Sequence, residues 1–410
     1  MKSYSSYKDS GVKWIGEIPS HWDVCKMKHC GELICGGTPS TNRDDYWGGD
    51  IPWIQSGKVH FKKITIDDVD KFITELGFRE SSTKMVRKDS PVIAITGATC
   101  SNVGFLTFDS TVNQSIIGIQ VNEVNTSYYI YYYMISQKNQ ILYHQSGGAQ
   151  GGVTKGDVEN LNIPKISYRE QTQIVSFLDT KTQKIDELIE KTEQKIKLLK
   201  EKRTSLINHC LTKGLNPNVE MKDSGVEWIG EIPRDWGFVK VGHYTNVVRG
   251  GSPRPSGDKR YFNGDFIPWI TVKDISNPKG KYVYKTESFL TEEGMKQSRV
   301  LEPETLVLTN SGVTLGIPKI LKIKGCINDG SVGFLDISEK LYRDFLYYFF
   351  TTQTKLLLEQ QSGYGQPNLN IEIVSNIKFP LPTFHEQNQI VEYLDEQTQK
   401  IDSTIEKETQ

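Results

Sequence analysis

The chain has 410 residues, with 49 Lys plus Arg against 50 Asp plus Glu and a formal net charge of −1. That length suits two domains of ordinary size. The balanced charge argues against a protein that grips nucleic acid by bulk electrostatics alone, because neutralising phosphates takes many Lys and Arg, but it leaves open a local basic face or a partner that supplies the charge.

In chain order, the first element is a leading segment, Lys8 to Trp22 (KDSGVKWIGEIPSHW), in which a Trp-Ile-Gly-Glu-Ile-Pro turn precedes a second Trp. Trp14 and Trp22 are expected to clamp it to the domain that follows. Next come runs rich in Val, Ile and Thr, such as Pro91 to Thr96, which read as strands broken by Gly-rich turns (Gly97-Ala98-Thr99). A Tyr-rich helix is expected over Ser127 to Tyr143, then a Gly- and Gln-rich loop, Gln145 to Gly156, then a short strand ending at Pro164. From Glu170 to about Leu211 there is no Gly or Pro. Leu178, Ile185, Leu199 and Leu206 fall on one heptad series, and Ile174 and Leu188 on its neighbour. This predicts a long helix with a partner along its seam, spanning roughly 60 Å at 1.5 Å per residue. Gly214 and Pro217 end it.

The sequence then starts again. Lys222 to Trp236 reads KDSGVEWIGEIPRDW, with Trp228 and Trp236 in the clamp positions. Gly36-Gly37-Thr38-Pro39 returns as Gly250-Gly251-Ser252-Pro253, Val112-Asn113 as Ile327-Asn328, and Gln145-Ser146-Gly147 as Gln361-Ser362-Gly363. Thr305 to Thr309, Ser311-Gly312-Val313, Tyr342 to Leu358 and Lys378 to Pro380 repeat the strand, turn, helix and strand. Ile390, Leu394, Ile401 and Ile405 repeat the seam. A period this long means a duplicated globular module rather than a solenoid. The predicted architecture is therefore α/β (α+β): two tandem mixed domains over 1–165 and 216–381, a central helical spacer over 166–215 and a distal helix over 382–410, the two long helices pairing antiparallel. The ends of the modules are nearly identical while the cores have drifted. Such ends suit one job done twice, and such cores suit related jobs on two targets.

Catalytic signatures are missing. There is no GxxxxGK[ST], no GxGxxG, no HExxH and no Asn/Asp-Pro-Pro-aromatic stretch of the kind that amino-methyltransferases use. The six cysteines, Cys25, Cys30, Cys35, Cys100, Cys210 and Cys326, form no CxxC pair, so a zinc site is not expected and free thiols in a reducing compartment are. The N-terminus lacks the apolar core of a signal peptide, and the apolar runs Tyr128 to Ile135 and Phe345 to Phe350 are too short to cross a bilayer. The expectation is a cytoplasmic recognition protein that is not itself an enzyme.

Each core is followed by a proline and then by (Arg/His)-Glu-Gln-x-Gln-Ile-Val-x-(Phe/Tyr)-Leu-Asp. The anchors are Ile163-Pro164, Glu170-Gln171, Gln173-Ile174 and Leu178-Asp179, repeated as Phe379-Pro380, Glu386-Gln387, Gln389-Ile390 and Leu394-Asp395. With the duplicated leading segment, this pattern resembles the specificity subunit of type I restriction-modification enzymes over nearly the whole chain. The resemblance implies that each core is a target recognition domain reading one half of a bipartite double-stranded DNA site, and that the paired helices set the gap between the halves. It also implies docking of two methyltransferase (modification) subunits and, through the complex, two restriction (motor-nuclease) subunits. S-adenosylmethionine, ATP and Mg belong to those partners, with no cofactor in this chain, and the modified base is adenine.

Base reading needs side chains that pair donors and acceptors with groove edges. The Gly-rich loops and basic turns nominate Lys58, Lys62, Lys63, Lys84, Arg87, Lys88, Gln150, Thr154 and Lys155 in the first copy. In the second they nominate Arg254, Lys259, Arg260, Lys273, Lys279, Lys281, Gln366, Asn368 and Asn370. Any one of the lysines also fits a solvated surface charge. Gln150 and Gln366 stand out because both copies place Gln five residues after the Gln of Gln-Ser-Gly. A competing reading is a duplicated β-rich scaffold or carbohydrate-binding protein that stacks sugars on Tyr46-Trp47 and Tyr261-Phe262. A metal-dependent nuclease is a third.

Overall fold

The computed structural model describes residues 4–121, 123–143, 151–227, 229–277, 280–359 and 369–409. It divides into two compact units, Met1–Leu188 and Ile189–Gln410. The division falls inside a single 46-residue helix, Tyr168–Lys213, the linker helix.

In the first unit, strands Glu32–Cys35, Ile116–Gln120, Ser90–Ala94, Val103–Leu106 and Lys63–Ile64 form a five-stranded sheet in that spatial order. Lys71–Ile73, Trp47–Ile54, Ser110–Val112 and Met85–Val86 form a four-stranded one. Each sheet is antiparallel apart from one parallel pair, Phe105 on Lys63 and Thr111 on Trp53 respectively. The second unit repeats both sheets strand for strand. Asn246–Arg249, Ser331–Leu335, Leu306–Thr309, Pro318–Leu321 and Tyr282–Val283 form one, and Phe289–Leu290, Phe262–Ile270, Gly325–Ile327 and Arg299–Leu301 the other. Short strands with parallel crossings of this kind produce the predicted mixed α/β class.

An aromatic helix closes each core. In the second unit it is one element, Arg343–Glu359, with Phe345, Leu346, Phe349 and Phe350 buried. In the first, the expected single helix is two, Val124–Ser136 and Lys138–Tyr143, because Gln137 departs from helical geometry between them. Burying each such large side chain contributes about 1.5–3 kcal/mol.

Each module returns to its own start. Asp23–Lys26 pairs antiparallel with Asn162–Lys165, and Gly237–Lys240 with Lys378–Leu381. That pairing carries Trp22 and Trp236 to the start of a long helix, where their indole nitrogens donate to Glu170 (3.0 Å) and Glu386 (3.4 Å). The next residue of the Glu-Gln pair turns inward. Gln387 is fully buried, accepts from the Tyr342 amide (2.7 Å) and donates to the Lys340 and Pro382 carbonyls. Gln171 accepts from Thr126 and donates to Ile166. A third repeated contact joins helix to helix: Tyr132 donates to Asp179 and Tyr348 to Asp395, both at 2.5 Å. The duplicated Glu-Gln and Leu-Asp motifs are thus a joint between leading segment, aromatic helix and long helix. Of the expected tryptophan clamps, Trp22 and Trp236 hold the leading segment to the long helix; Trp14 is 40% exposed but lines a cleft of its domain with Lys26, Thr154 and Leu161, and Trp228 lies outside the described residues.

Within the second unit the linker helix runs antiparallel to a closing helix, Phe384–Thr409, in a register fixed by Lys195–Glu408 (2.7 Å) and Arg203–Asp402 (2.9 Å). Ile207, Cys210 and Leu211 share a core with Ile390, Val391 and Leu394, and Leu206 packs against it. Ile401 is 8% exposed, while Leu199 and Ile405 are half-buried. The seam expected at Ile185 and Leu188 is corrected: they are 56% and 65% exposed. The ion-pair register uses up the closing helix at Glu408, opposite Lys195, so its described length does not reach the level of these two positions. Ile174 is half-buried against the first unit's core and Leu178 is also half-buried. No helix among the described residues is long and apolar enough to cross a membrane.

Candidate nucleic-acid interface

The pieces of sequence that recur inside the drifted cores meet one another in space. In the first unit the Gly36 amide donates to Ile116 and the Gly37 amide to Val112, the Asn113 amide to Ile54, and the Ile95 amide to Ser115. The turn after Ile95 is bound in turn to the end of the Gly-rich loop, through Gly97 to Gly151 and Val153 to Ile95. Three loops and one loop end therefore form a continuous hydrogen-bonded rim. The second unit builds the same rim from Gly250 to Ser331, Gly251 to Ile327, Asn328 to Ile270, Asn310 to Gly330 and Leu369 to Asn310. Glycine is required where the loops touch. A Cβ on Gly36 would overlap the Asn113 carbonyl oxygen, and one on Gly250 the Asn328 carbonyl oxygen. The scaffold is held by backbone atoms, which frees the side chains on it to change.

They have changed in a patterned way. Thr38 donates to the exposed Gln114 in the first unit. At the same place in the second, Ser252 donates to Asp329 (2.6 Å) and Arg254 pairs with the same carboxylate (3.1 Å). Further along the same loop, Arg43–Asp45 (2.6 Å) is answered by Asp258–Arg260 (2.7 Å), the same ion pair with its charges exchanged, beside the tyrosines Tyr46 and Tyr261. Beside the Gly-Gly turn stands an exposed cation in each copy, Lys84 and Arg299. Two buried polar groups in these loops, the Ser101 hydroxyl and the Asn310 carboxamide, have no hydrogen-bond partner among the described residues. Among the described residues no cluster of His, Cys, Asp and Glu is arranged to hold a metal ion.

Over residues 19–198 and 233–410 the sequence matches the family described as type I restriction modification DNA specificity domain. The chain belongs to this family. It is 27% identical over 377 residues to the type I restriction enzyme MjaIX specificity subunit of Methanocaldococcus jannaschii, covering 90% of this chain and 84% of that protein. It is 28% identical over 182 residues to the EcoR124I/EcoR124II specificity subunit of Escherichia coli, covering 42% of each. Among solved structures it is similar to a chain from work on assembly and conformational transition of the type I R-M system (TM-score 0.75, 17% identity, 96% of this chain and 94% of that one). It is also similar to the HsdS subunit from Thermoanaerobacter tengcongensis (TM-score 0.57, 17% identity, 95% and 92%). At that identity the structural likeness shows a shared fold.

The rim gathers only some of the residues that sequence nominated. Lys84 and Arg254 lie on it. Lys58 and Lys273 sit on the turn that leaves the Pro-Trp-Ile strand beside it, Lys58 paired with Asp70 (2.7 Å) and Lys273 exposed. Lys259 is exposed on the loop that follows Arg254, whereas Arg260 folds back on Asp258. Lys155 is half spent on Glu159 (3.3 Å). Thr154 and Asn370 are corrected: each caps a short helix, accepting from the Asp157 and Ile373 amides, so their side chains are committed internally. Lys62 pairs with Asp68 (2.6 Å), Lys63 lies over the Tyr128 ring, and Arg87 donates to Gln120. Lys88 is exposed next to a backbone bond to Asp109. Lys281 is the clearest correction. It is nearly buried between Asp344 (2.6 Å) and Asp395 (3.0 Å). Burial alone would lower its pKa, but the two carboxylates outweigh that and hold it above the ordinary lysine value. It braces the core to the closing helix and is not available to DNA. Gln150, Lys279, Gln366 and Asn368 lie outside the described residues. The sugar platform is corrected as well: Tyr46 is buried with its hydroxyl on Glu80, and Trp47 packs edge-on against Trp53. Sequence reasoning missed Gln114, Asp329 and Arg299. The signal was present, because Gln114 and Asp329 directly follow the repeated Val/Ile-Asn and differ between copies.

Proposed function

We propose that this chain is the DNA-recognition subunit of a type I restriction-modification complex, its two modules each reading one half of a bipartite duplex site. The observation that carries this reading is the pair of modules with identical sheet order, whose backbone-held rims present different polar side chains. Base edges are told apart by the pattern of donors and acceptors, so two divergent rims on one scaffold suit two different half-sites. The linker helix and the closing helix set the unspecified gap between halves. The duplicated joints around Glu170 and Glu386, the parts that did not drift, suit two identical methyltransferase subunits, with two motor-nuclease subunits joining through the complex. S-adenosylmethionine, ATP and Mg act in those partners, adenine is the base modified, and the chain contributes address rather than chemistry. Cytoplasmic residence follows from that role.

The near-zero net charge suits a reader whose partners supply much of the phosphate contact. Mapping modified adenines in a host that carries this chain with its methyltransferase tests the reading. A single two-part motif separated by a fixed gap is expected; a continuous motif, or no modification dependent on this chain, overturns it.

A further inference from the structure

We infer that the two modules read different base pairs from the same part of the rim, where the Gly-Gly turn meets the loop after the repeated Asn: Gln114, on that loop, in the first unit, and Arg254, on the turn and braced by Asp329, in the second. This rests on the DNA-reading role proposed above. The junction corresponds because the same backbone contact sets it in both units, with Gly36 closed on Asn113 and Gly250 on Asn328. The residue after that Asn is Gln114 in one copy and Asp329 in the other, and the second residue after Thr38 or Ser252 is Ser40 or Arg254.

The bracing is one-sided. Asp329 takes a hydrogen bond from Ser252 on one oxygen and Nη2 of Arg254 on the other, and its own amide donates back to Ser252 (3.3 Å). The Arg254 amide donates to Gln297 (3.2 Å), which fixes the backbone from which the side chain springs. The Arg254 side chain remains 70% exposed. An ion pair this exposed adds little to stability. The first unit makes the corresponding Gly36–Asn113 contact with Ser40 and Gln114 where the second has Arg254 and Asp329, so that junction closes without the ion pair. What it does achieve is to hold a guanidinium by one edge with the rest of its fork outward, the geometry that meets O6 and N7 of guanine. The first unit holds Gln114 by its oxygen, through Thr38, and leaves the residue exposed; that oxygen keeps a second lone pair. A glutamine carboxamide matches N6 and N7 of adenine. The module-two half-site should therefore contain a guanine whose N7 is contacted by Arg254, and the module-one half-site an adenine contacted by Gln114. Asp329 is a positioning residue.

The test uses the full chain assembled with its methyltransferase, and duplexes built on the motif found in the host. Replacing guanines of the second half-site one at a time by 7-deazaguanine, which lacks the N7 acceptor, should weaken binding at one position by about tenfold or more. Arg254→Ala should bind the unmodified duplex about that much more weakly and show no further loss with 7-deazaguanine there, while still discriminating every base of the first half-site. Asp329→Asn should reduce the same single penalty without removing it. Gln114→Ala should erase the 7-deazaadenine penalty at one position of the first half-site only. Retained discrimination in the untouched half-site shows that each variant is folded and assembled. The inference is overturned if the second half-site has no guanine, if Arg254→Ala keeps the 7-deazaguanine penalty, or if either variant alters the other module's half-site. In each of those outcomes a bipartite motif would still stand, so the reading of the chain as a specificity subunit survives separately.

Discussion

Glu170 is a carboxylate that meets the Trp22 indole (3.0 Å), His21 Nε2 (2.8 Å) and the Ser167 hydroxyl (2.8 Å). Burial would raise its pKa, but these contacts outweigh burial and hold it down at about 2, against an ordinary 4.5. The folded chain therefore resists protonation that the unfolded chain accepts, so the joint's contribution is complete above about pH 4.5 and fades as pH falls towards about 2. Glu170→Gln should flatten the pH dependence of unfolding in that window, as followed by tryptophan fluorescence; an unchanged acid limb would mean the joint is not formed. Trp22→Phe keeps an aromatic side chain but removes the donor, and should cost about 1.5–3 kcal/mol in urea denaturation. The rim glycines make a second residue-scale case. Gly36→Ala or Gly250→Ala forces a methyl into a backbone carbonyl, and the loop must shift. About 1–3 kcal/mol of destabilisation is expected, with weakened modification of whichever half-site that module reads. Equal binding by wild type and both variants would show that the rim is not an interface.

At the scale of elements, periodicity makes the long helices legible in the sequence: the stretch from Glu170 to Leu211 is the interior of Tyr168–Lys213, and the strands at Ser90–Ala94 and Leu306–Thr309 sit within a residue or two of the Val- and Ile-rich runs. A heptad series records that an apolar stripe exists, not what covers each part of it. Ile401 and Ile185 occupy matching heptad positions, yet one is 8% and the other 56% exposed. Ile401→Asp should therefore destabilise the chain by about 3 kcal/mol or more, since it buries a charge. Ile185→Asp should change the stability of the free chain by no more than about 0.5 kcal/mol. Similar losses for both in denaturant titration would mean the stripe at Ile185 is covered after all. Lys281 was illegible for a related reason. A lysine next to a Gly in a polar turn reads as solvated, and its acidic partners Asp344 and Asp395 arrive from two helices far along the chain. Thr154 and Asn370 lie at the ends of polar loops that are helix caps, and a cap is fixed by the amides it meets rather than by its own identity.

For the whole molecule, duplication sets two versions of one scaffold side by side in a single chain. Each unit carries its own two sheets in the same order, its own returning strand pair and its own indole-to-carboxylate joint. The sequence identity retained by the copies is concentrated in those joints and in the glycines and asparagines of the rim, while the exposed rim residues differ. Selection acting on two independent targets through one scaffold leaves that pattern, because the backbone contacts that shape the loop must persist and the side chains on it need not. The consequence is modularity. Replacing the segment from Trp22 to Ile163 by the corresponding core of another family member leaves Glu170, Gln171, Asp179 and the linker helix in place, provided the incoming core supplies the indole and the aromatic-helix tyrosine that meet them. The hybrid should fold, assemble with the same methyltransferase and modify a motif in which one half is new and the other half and the gap are unchanged. Mapping the modified bases in the genome of a host carrying the hybrid measures this directly. A motif altered in both halves would mean that the modules do not read independently, and that the shared sheet order is only a relic of duplication.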